Sequence, residues 1–307
     1  MPNLQDALAR IEAHEKELGS LEWTIAFKEG TAADPSKPEK ATLSPSQHQG
    51  HVTLDLVTGR YRVDLESVIR WIQGPSDFLA LRQSWSYDGL ELRDLISMKP
   101  GKILPDATED RGRGRIVRQG NQKSEFPHFT GAAGIDSMPP NFQGKRLSQF
   151  LREGMKPERP LSMEKHGDLW RFTAFDPLMD SNVLIDYDPK AGMVLEATWQ
   201  NGTPERPWRR YTVTTQEISP GRSMPHIIRS VNTLDGNFTQ LTYSSVKLNA
   251  PYAPGRFLLQ FPFGSNVTDF LRKSAYTTGE TSPDSPESIQ RFMNENGLTD
   301  APAEPDK

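Results

Sequence analysis

Six histidines are the first candidates for metal binding or proton transfer: His14, His48, His51, His128, His166 and His226. His48-Gln-Gly-His51 sets two imidazoles three residues apart. Zinc needs such nitrogen donors to converge with further ligands, and no HExxH motif or third nearby ligand accompanies the pair. A solvated loop-to-strand junction is the favoured reading, and no metal or other cofactor is expected. Asp186-Tyr187-Asp188 resembles a metal or sugar-phosphate motif, but it runs into Pro189, where Asp is a preferred turn residue. Arg111, Arg113, Arg115 and Arg118 cluster in "RGRGRIVR". Guanidinium groups so placed can meet a phosphate or a lipid headgroup, though Glu109 and Asp110 beside them favour a solvated loop. A nucleophile elbow and a phosphate-binding GxxxxGK[ST] loop are both missing, so no catalytic residue is assigned. The three N-x-Thr sequons at Asn201, Asn237 and Asn266 carry little weight.

Aromatic residues are the stronger candidates. Trp23, Trp85, Trp170 and Trp199 each fall on the apolar side of a different alternating segment. Aromatics converging from several strands can line a cavity for an acyl chain or a sugar; an ordinary aromatic core is an equal alternative. Asp88-Gly89, in "SYDGLELRDL", is a turn signal between two strand-like runs.

The elements that must position these residues are legible from periodicity. Leu4, Leu8, Ile11 and Leu18 recur at helical spacing, with Asn3 as N-cap and Gly19 as stop, so residues 3 to 18 predict an amphipathic helix. Its stripe predicts that Leu8 and Ile11 pack on a sheet. In "LEWTIAFK", Leu21, Trp23, Ile25 and Phe27 alternate with polar or small residues, the signature of a strand with one buried face. Hairpins follow around Thr58-Gly59 and Asp88-Gly89. Pro- and Ser-rich residues near 30–47 predict a loop, and residues 98–144 a long loop holding at most a short strand at "RIVR". "GKRLSQFLREG" predicts a short helix. From residue 168 a strand-turn cadence resumes, with antiparallel pairing across tight turns. Trp23, Ile25, Tyr61, Val63, Trp85 and Trp170 are expected to face inward. The expected fold is mainly β: a large curved antiparallel sheet forming an unclosed half-barrel, with an N-terminal helix and a short middle helix covering its concave face. Residues 1–270 form one domain in this reading. Residues 271–307 form a polar, partly disordered tail with a short helix at "SPESIQRFMNENG".

Composition sets bounds on function. The 307 residues include 25% charged and 35% hydrophobic residues, with 25 Pro and 23 Gly. The net charge of −4 provides no global basic field, and no nucleic-acid partner is expected. No apolar run approaches the ~20 residues of a membrane helix, so no span is expected, although transient contact with a membrane or membrane protein is allowed. The absence of cysteine excludes disulfides, thiol nucleophiles and thiolate metal sites. The start "MPNLQDALAR" carries no signal pattern.

The order of parts resembles the LolA/LolB-like family of periplasmic lipoprotein carriers, with the related RseB-type sensor domains. The residues that carry the resemblance are "LQDALARIEAHEKELGSLEWTIAF", then "GRYRVDL", "SWSYDGLELRDL" and the late "FLLQFPFGSNVTDF". The family closes with a P-G-V-x-D element; here two residues separate Gly264 from Val267 before Asp269. The resemblance spans residues 4 to 270 and implies an unclosed sheet whose concave face is plugged by helices, with Asp88-Gly89 a structural corner. It also implies a non-enzymatic, monomeric, periplasmic or otherwise extracytoplasmic protein whose signal peptide is absent from this sequence. Its partner would be a lipoprotein, an acyl chain or another amphipathic molecule. The expected ligand-binding residues are Trp23, Ile25, Phe27, Tyr61, Val63, Trp85, Trp170, Phe172 and Trp199, with Arg113 and Arg115 at the rim. Two alternatives stay open: a sensor or interaction scaffold of the same fold with a self-filled cavity, and a carbohydrate-active enzyme with two facing carboxylates.

Overall fold

The computed structural model describes residues 3–35, 42–70, 78–99, 112–118, 133–155, 160–200, 207–253 and 255–279. The chain begins with helix α1 (Leu4–Glu17), whose first turn is capped by the Asn3 side chain accepting from the Asp6 amide at 2.9 Å. A first meander follows: β1 (Ser20–Thr31), β2 (Thr42–Asp55), β3 (Tyr61–Arg70), β4 (Phe78–Tyr87), β5 (Glu91–Lys99) and β6 (Arg113–Arg118). A two-residue ladder, β7 (Asn141–Phe142) with β8 (Lys145–Arg146), leads into helix α2 (Leu147–Glu153). The second meander is β9 (Ser162–His166), β10 (Leu169–Asp176), β11 (Ser181–Asp188), β12 (Met193–Gln200), β13 (Pro207–Ser219), β14 (Arg222–Asn232) and β15 (Asn237–Leu248). Two short strands close the described chain, β16 (Asn266–Asp269) and β17 (Ser274–Thr277).

The strand order is β17-β16-β6-β5-β4-β3-β2-β1-β15-β14-β13-β12-β11-β10-β9, an open sheet with β17 and β9 at its edges. The expectation of a large, unclosed antiparallel sheet with two helices agrees with this. Three details differ from the sequence reading. The β6–β16 pair is parallel, with Val267 beside Gly114, because the chain returns to β6 through the long segment after β15 instead of a tight turn. Strand β2 begins at Thr42, inside the Pro- and Ser-rich stretch read as loop. Strand β17 (Ser274–Thr277) lies within residues 271–307, read as a tail, because it pairs with β16 from Asn266↔Thr277 to Asp269↔Ser274. The rest of that expected tail, from 280 onward and including its expected helix, lies outside the described residues.

By contacts the chain divides into two compact units: Met1–Leu18, Ile25–Gln47 and His128–Val246 in the first, and Gly19–Thr24, His48–Pro127 and Lys247–Lys307 in the second. In the first, α1 and α2 lie against the second meander. Ala7, Leu8 and Ile11 are buried to within 1%. The Arg10 guanidinium sits 5.6 Å from the Trp170 ring, and Phe150 of α2 meets Phe142 edge-to-face at 5.1 Å. The Glu15 carboxylate ties the helices together, accepting from the Ser148 amide at 2.8 Å and its hydroxyl at 2.6 Å.

In the second unit, period-two alternation sets the faces of β3: Val63 and Leu65 are buried, while Arg62, Asp64 and Glu66 point the other way. That charged side is partly covered by a strap, residues 255–263. Arg62 donates to the Leu258 carbonyl (3.1 Å), Arg93 to the Leu259 carbonyl (3.3 Å), and the Leu259 amide donates to Ser86 Oγ (3.1 Å). Leu95, Ile116, Leu259, Phe261 and Val267 form a buried cluster beneath the strap.

Candidate ligand recess

The expected aromatic residues fall into separate packed groups. In the first unit, Trp170 and Phe172 pack on Tyr187 at 5.8 and 6.4 Å, and Trp199 stacks on Phe142 at 5.9 Å. Ile25 is buried and Phe27 partly buried. The Trp199 indole N–H donates to Asp176 Oδ2 at 2.8 Å. In the second unit, Trp23 is fully buried. Val63 and Trp85 are cross-strand partners, both buried, and the half-buried Tyr61 ring lies 6.1 Å from Tyr87. The rim arginines do different things. Arg113 is exposed, while Arg115 forks onto Asp94 at 2.6–3.1 Å. Arg111 lies outside the described residues, as does the Arg118 side chain.

The other motifs resolve into structure. His48 and His51, an odd number of residues apart on β2, turn to opposite faces. His48 Nδ1 is 2.7 Å from Ser67 Oγ, and His51 Nε2 is 3.4 Å from Glu22. Burial and the nearby Arg256 charge push the His51 imidazole below its ordinary value. Asp186 is gripped by Arg171 through two hydrogen bonds, at 2.8 and 2.7 Å. Asp188 closes a turn by accepting from the amides of Lys190 and Ala191. Asp88 does the same for Leu90 and Glu91, each at 2.8 Å, with Gly89 at φ 107 in a conformation that favours glycine. The "DG" stretch is therefore a corner of the sheet. Among the described residues no group of three or more His, Asp or Glu is placed to hold a metal.

Sequence reasoning missed a recess in the first unit. The end of α1, the β11–β12 turn, the β13–β14 turn and Pro139 enclose a space of about 400 Å³. That is within the ~300–1,000 Å³ range of small-ligand sites. Its lining is mainly polar, with His14, Glu17, Lys190 and Arg222, and Leu18, Met193 and Met224 supply the apolar part. Behind it, under α1, a slot lined by Ile11, Phe142, Leu147 and Tyr211 narrows to about 20 Å³; Leu18, Pro139, Gly192 and Met193 line both spaces. Gly192 adopts φ 72, and a Cβ there would stand 2.9 Å from His14 Nδ1, so glycine lets α1 approach the turn. His14 Nδ1 and the Tyr187 hydroxyl share a hydrogen bond of 3.0 Å. Burial, reinforced by the Glu15 charge, pushes the Tyr187 phenol far above its ordinary value, so it remains a neutral hydroxyl. Arg222 is loosely paired with Glu17 at 3.9 Å, and the exposed Lys190 with Asp168 at 4.0 Å. The lining residues come from positions 14 to 224, at helix ends and turns, so no local motif announces them.

A second recess, of about 520 Å³, lies on the polar side of β2–β4, with His51, Asp64, Glu66 and Arg82 on its walls. Asp64 and Glu66 are the carboxylates that face a groove there. Arg62 pairs with the first at 2.8 Å and Arg82 with the second at 3.1 Å. Burial raises the Asp64 carboxyl, but the Arg62 hydrogen bonds and charge outweigh it and hold it below its ordinary value. A general acid needs the opposite shift.

No family model and no curated protein matches the sequence. Among solved structures, the chain is similar to a LolA superfamily protein from Nitrosomonas europaea, at 14% identity and TM-score 0.42, over 81% of this chain and 95% of that one. It is also similar to a DUF1329 family protein from Desulfovibrio piger, at 11% identity and TM-score 0.43, over 84% and 98% of the two chains. A third similarity is to a domain assigned to outer membrane lipoprotein sorting from Vibrio parahaemolyticus, at 11% identity and TM-score 0.43, over 82% and 95%. No described helix is long and apolar enough to cross a membrane.

Proposed function

We propose that this is a non-enzymatic, extracytoplasmic binding protein for an amphipathic ligand, an acyl chain or the lipid part of a lipoprotein. The observation that carries this reading is the recess at the end of α1, a mainly polar mouth with His14, Glu17, Lys190 and Arg222 that adjoins a narrow slot lined by Ile11, Phe142 and Leu147 under the helix. An apolar tail entering the slot would displace α1 outward, and each methylene buried would contribute ~0.8 kcal/mol before association costs. An anionic head would meet Lys190 and Arg222. Trp170, Phe172 and Trp199 then act as the packed floor under the helices, and Arg113 and Arg115 are proposed only as surface charge.

The test is titration of intrinsic tryptophan fluorescence with a fatty acid and a lysophospholipid, beside native mass spectrometry of the purified protein. Trp170 under Arg10 and Trp199 against Phe142 make the emission sensitive to movement of the helices. Saturable emission change is expected, weakened in Lys190→Glu/Arg222→Glu. Unchanged emission up to millimolar ligand, with no lipid co-purifying, overturns the reading. The second reading, an interaction scaffold with a self-filled interior, is favoured by one fact. Trp23, Ile25, Val63, Trp85, Phe172 and Trp199 are all at most 2% exposed, covered by the protein's own side chains.

A further inference from the structure

We infer that one end of the second unit is a docking surface for a lipid bilayer bearing anionic headgroups. The inference stands on that unit alone and does not rest on the recess. Three turns meet at this end. The β2–β3 and β4–β5 turns share it because Tyr61 pairs with Tyr87. The β16–β17 turn joins them because β16 runs parallel to β6 and Phe270 follows beside Ile116. Each turn presents a large apolar side chain to solvent: Val57 at 80% exposure, Leu90 at 45% and Phe270 at 57%. Strand spacing sets neighbouring tips about 10 and 14 Å apart.

The tips are held in place. Asp55 Oδ1 accepts from the amides of Val57 (2.9 Å) and Thr58 (3.1 Å). Asp88 Oδ1 accepts from Leu90 and Glu91, and Asp269 Oδ1 from Leu271 and Arg272, both at 2.9 Å. This use of acids also sorts the charge. Asp55, Asp88, Glu91 and Asp269 are all buried; Arg272 is partly exposed and pairs with Asp269 at 2.6 Å and Glu91 at 3.2 Å, while Lys273 stands exposed beside Phe270. The end therefore shows solvent an apolar triad edged by the Lys273 ammonium and the outer side of the paired Arg272, the chemistry that partitions to an anionic interface. The hairpin tips of the first unit are the contrast: Leu178 and Leu234 are as exposed, but exposed Asp180 and Asp235 flank them.

The chain has no cysteine, so Val57→Cys, Leu90→Cys and Phe270→Cys can each carry a single polarity-sensitive fluorophore. Labels at Leu178→Cys and Leu234→Cys serve as controls. Vesicles of phosphatidylcholine, with and without one-third phosphatidylglycerol, are the probe, and co-sedimentation of the unlabelled protein is measured alongside. Expected are binding to the anionic vesicles that salt weakens, and blue-shifted emission at the three second-unit positions only. Lys273 has φ 52, which asparagine tolerates, so Lys273→Asn should fold normally and bind roughly fivefold more weakly, equivalent to about 1 kcal/mol per basic residue. No sedimentation with anionic vesicles, equal binding to neutral ones, or an equal shift at Leu178 and Leu234 would overturn the inference.

Discussion

Tyr61, on β3 beside Tyr87, has its phenol pushed up to about 12, by burial first and the neighbouring phenol second. A folded-state value above the ordinary 10 stabilises the fold fully below pH 10, and that contribution is lost as pH rises through about 12. Tyr61→Phe should therefore flatten the fall of stability between those limits, measured by urea unfolding across the alkaline range; an unchanged slope would count against the buried phenol. Single residues also show where sequence reading runs out. Trp23, Trp85 and Trp170 were legible as inward because alternation fixes which face a strand residue occupies. The partners of Arg115 and Asp186 were not, since Asp94 and Arg171 are 21 and 15 residues away across the sheet.

Among the elements, α1 was the most legible, because a capped apolar stripe declares both its limits and its buried face. Leu8→Ala and Ile11→Ala should each cost about 2–5 kcal/mol, read by urea or thermal unfolding; losses near zero for both would detach the helix from the core. The link between helices was not legible, because it rests on one buried carboxylate. Glu15→Ala strands the Ser148 amide and hydroxyl and should cost about 1–3 kcal/mol. A double-mutant cycle with Ser148→Ala should show the two changes to be non-additive. The Pro- and Ser-rich stretch before His48 misled for a physical reason: Pro45 reads as a strand breaker, yet β2 runs through it. The recess was illegible because turns and helix ends supply it.

At the scale of the molecule, the sheet is two meanders joined by β1 and β15, whose side chains meet across more than 200 residues, as in Thr31 with Asn237 and Lys247 with Glu22. Turn chemistry predicts neighbouring hairpins but not which strand of one meander receives the other. The edge strands β9 and β17 have one paired side each, and hydrogen exchange should find their amides opening well before those of β11 to β14. Equal protection throughout would contradict the open topology. The strap has a consequence in time. Leu95 and Ile116 are made early, yet Leu259, Phe261 and Val267, which cover them, come about 150 residues later. While the chain is being synthesised, that flank of the second unit stays bare until residues 255–267 emerge. A chain stopped after residue 253 should keep it bare permanently. Such a chain should bind the dye ANS and aggregate on warming, where the full-length protein does neither.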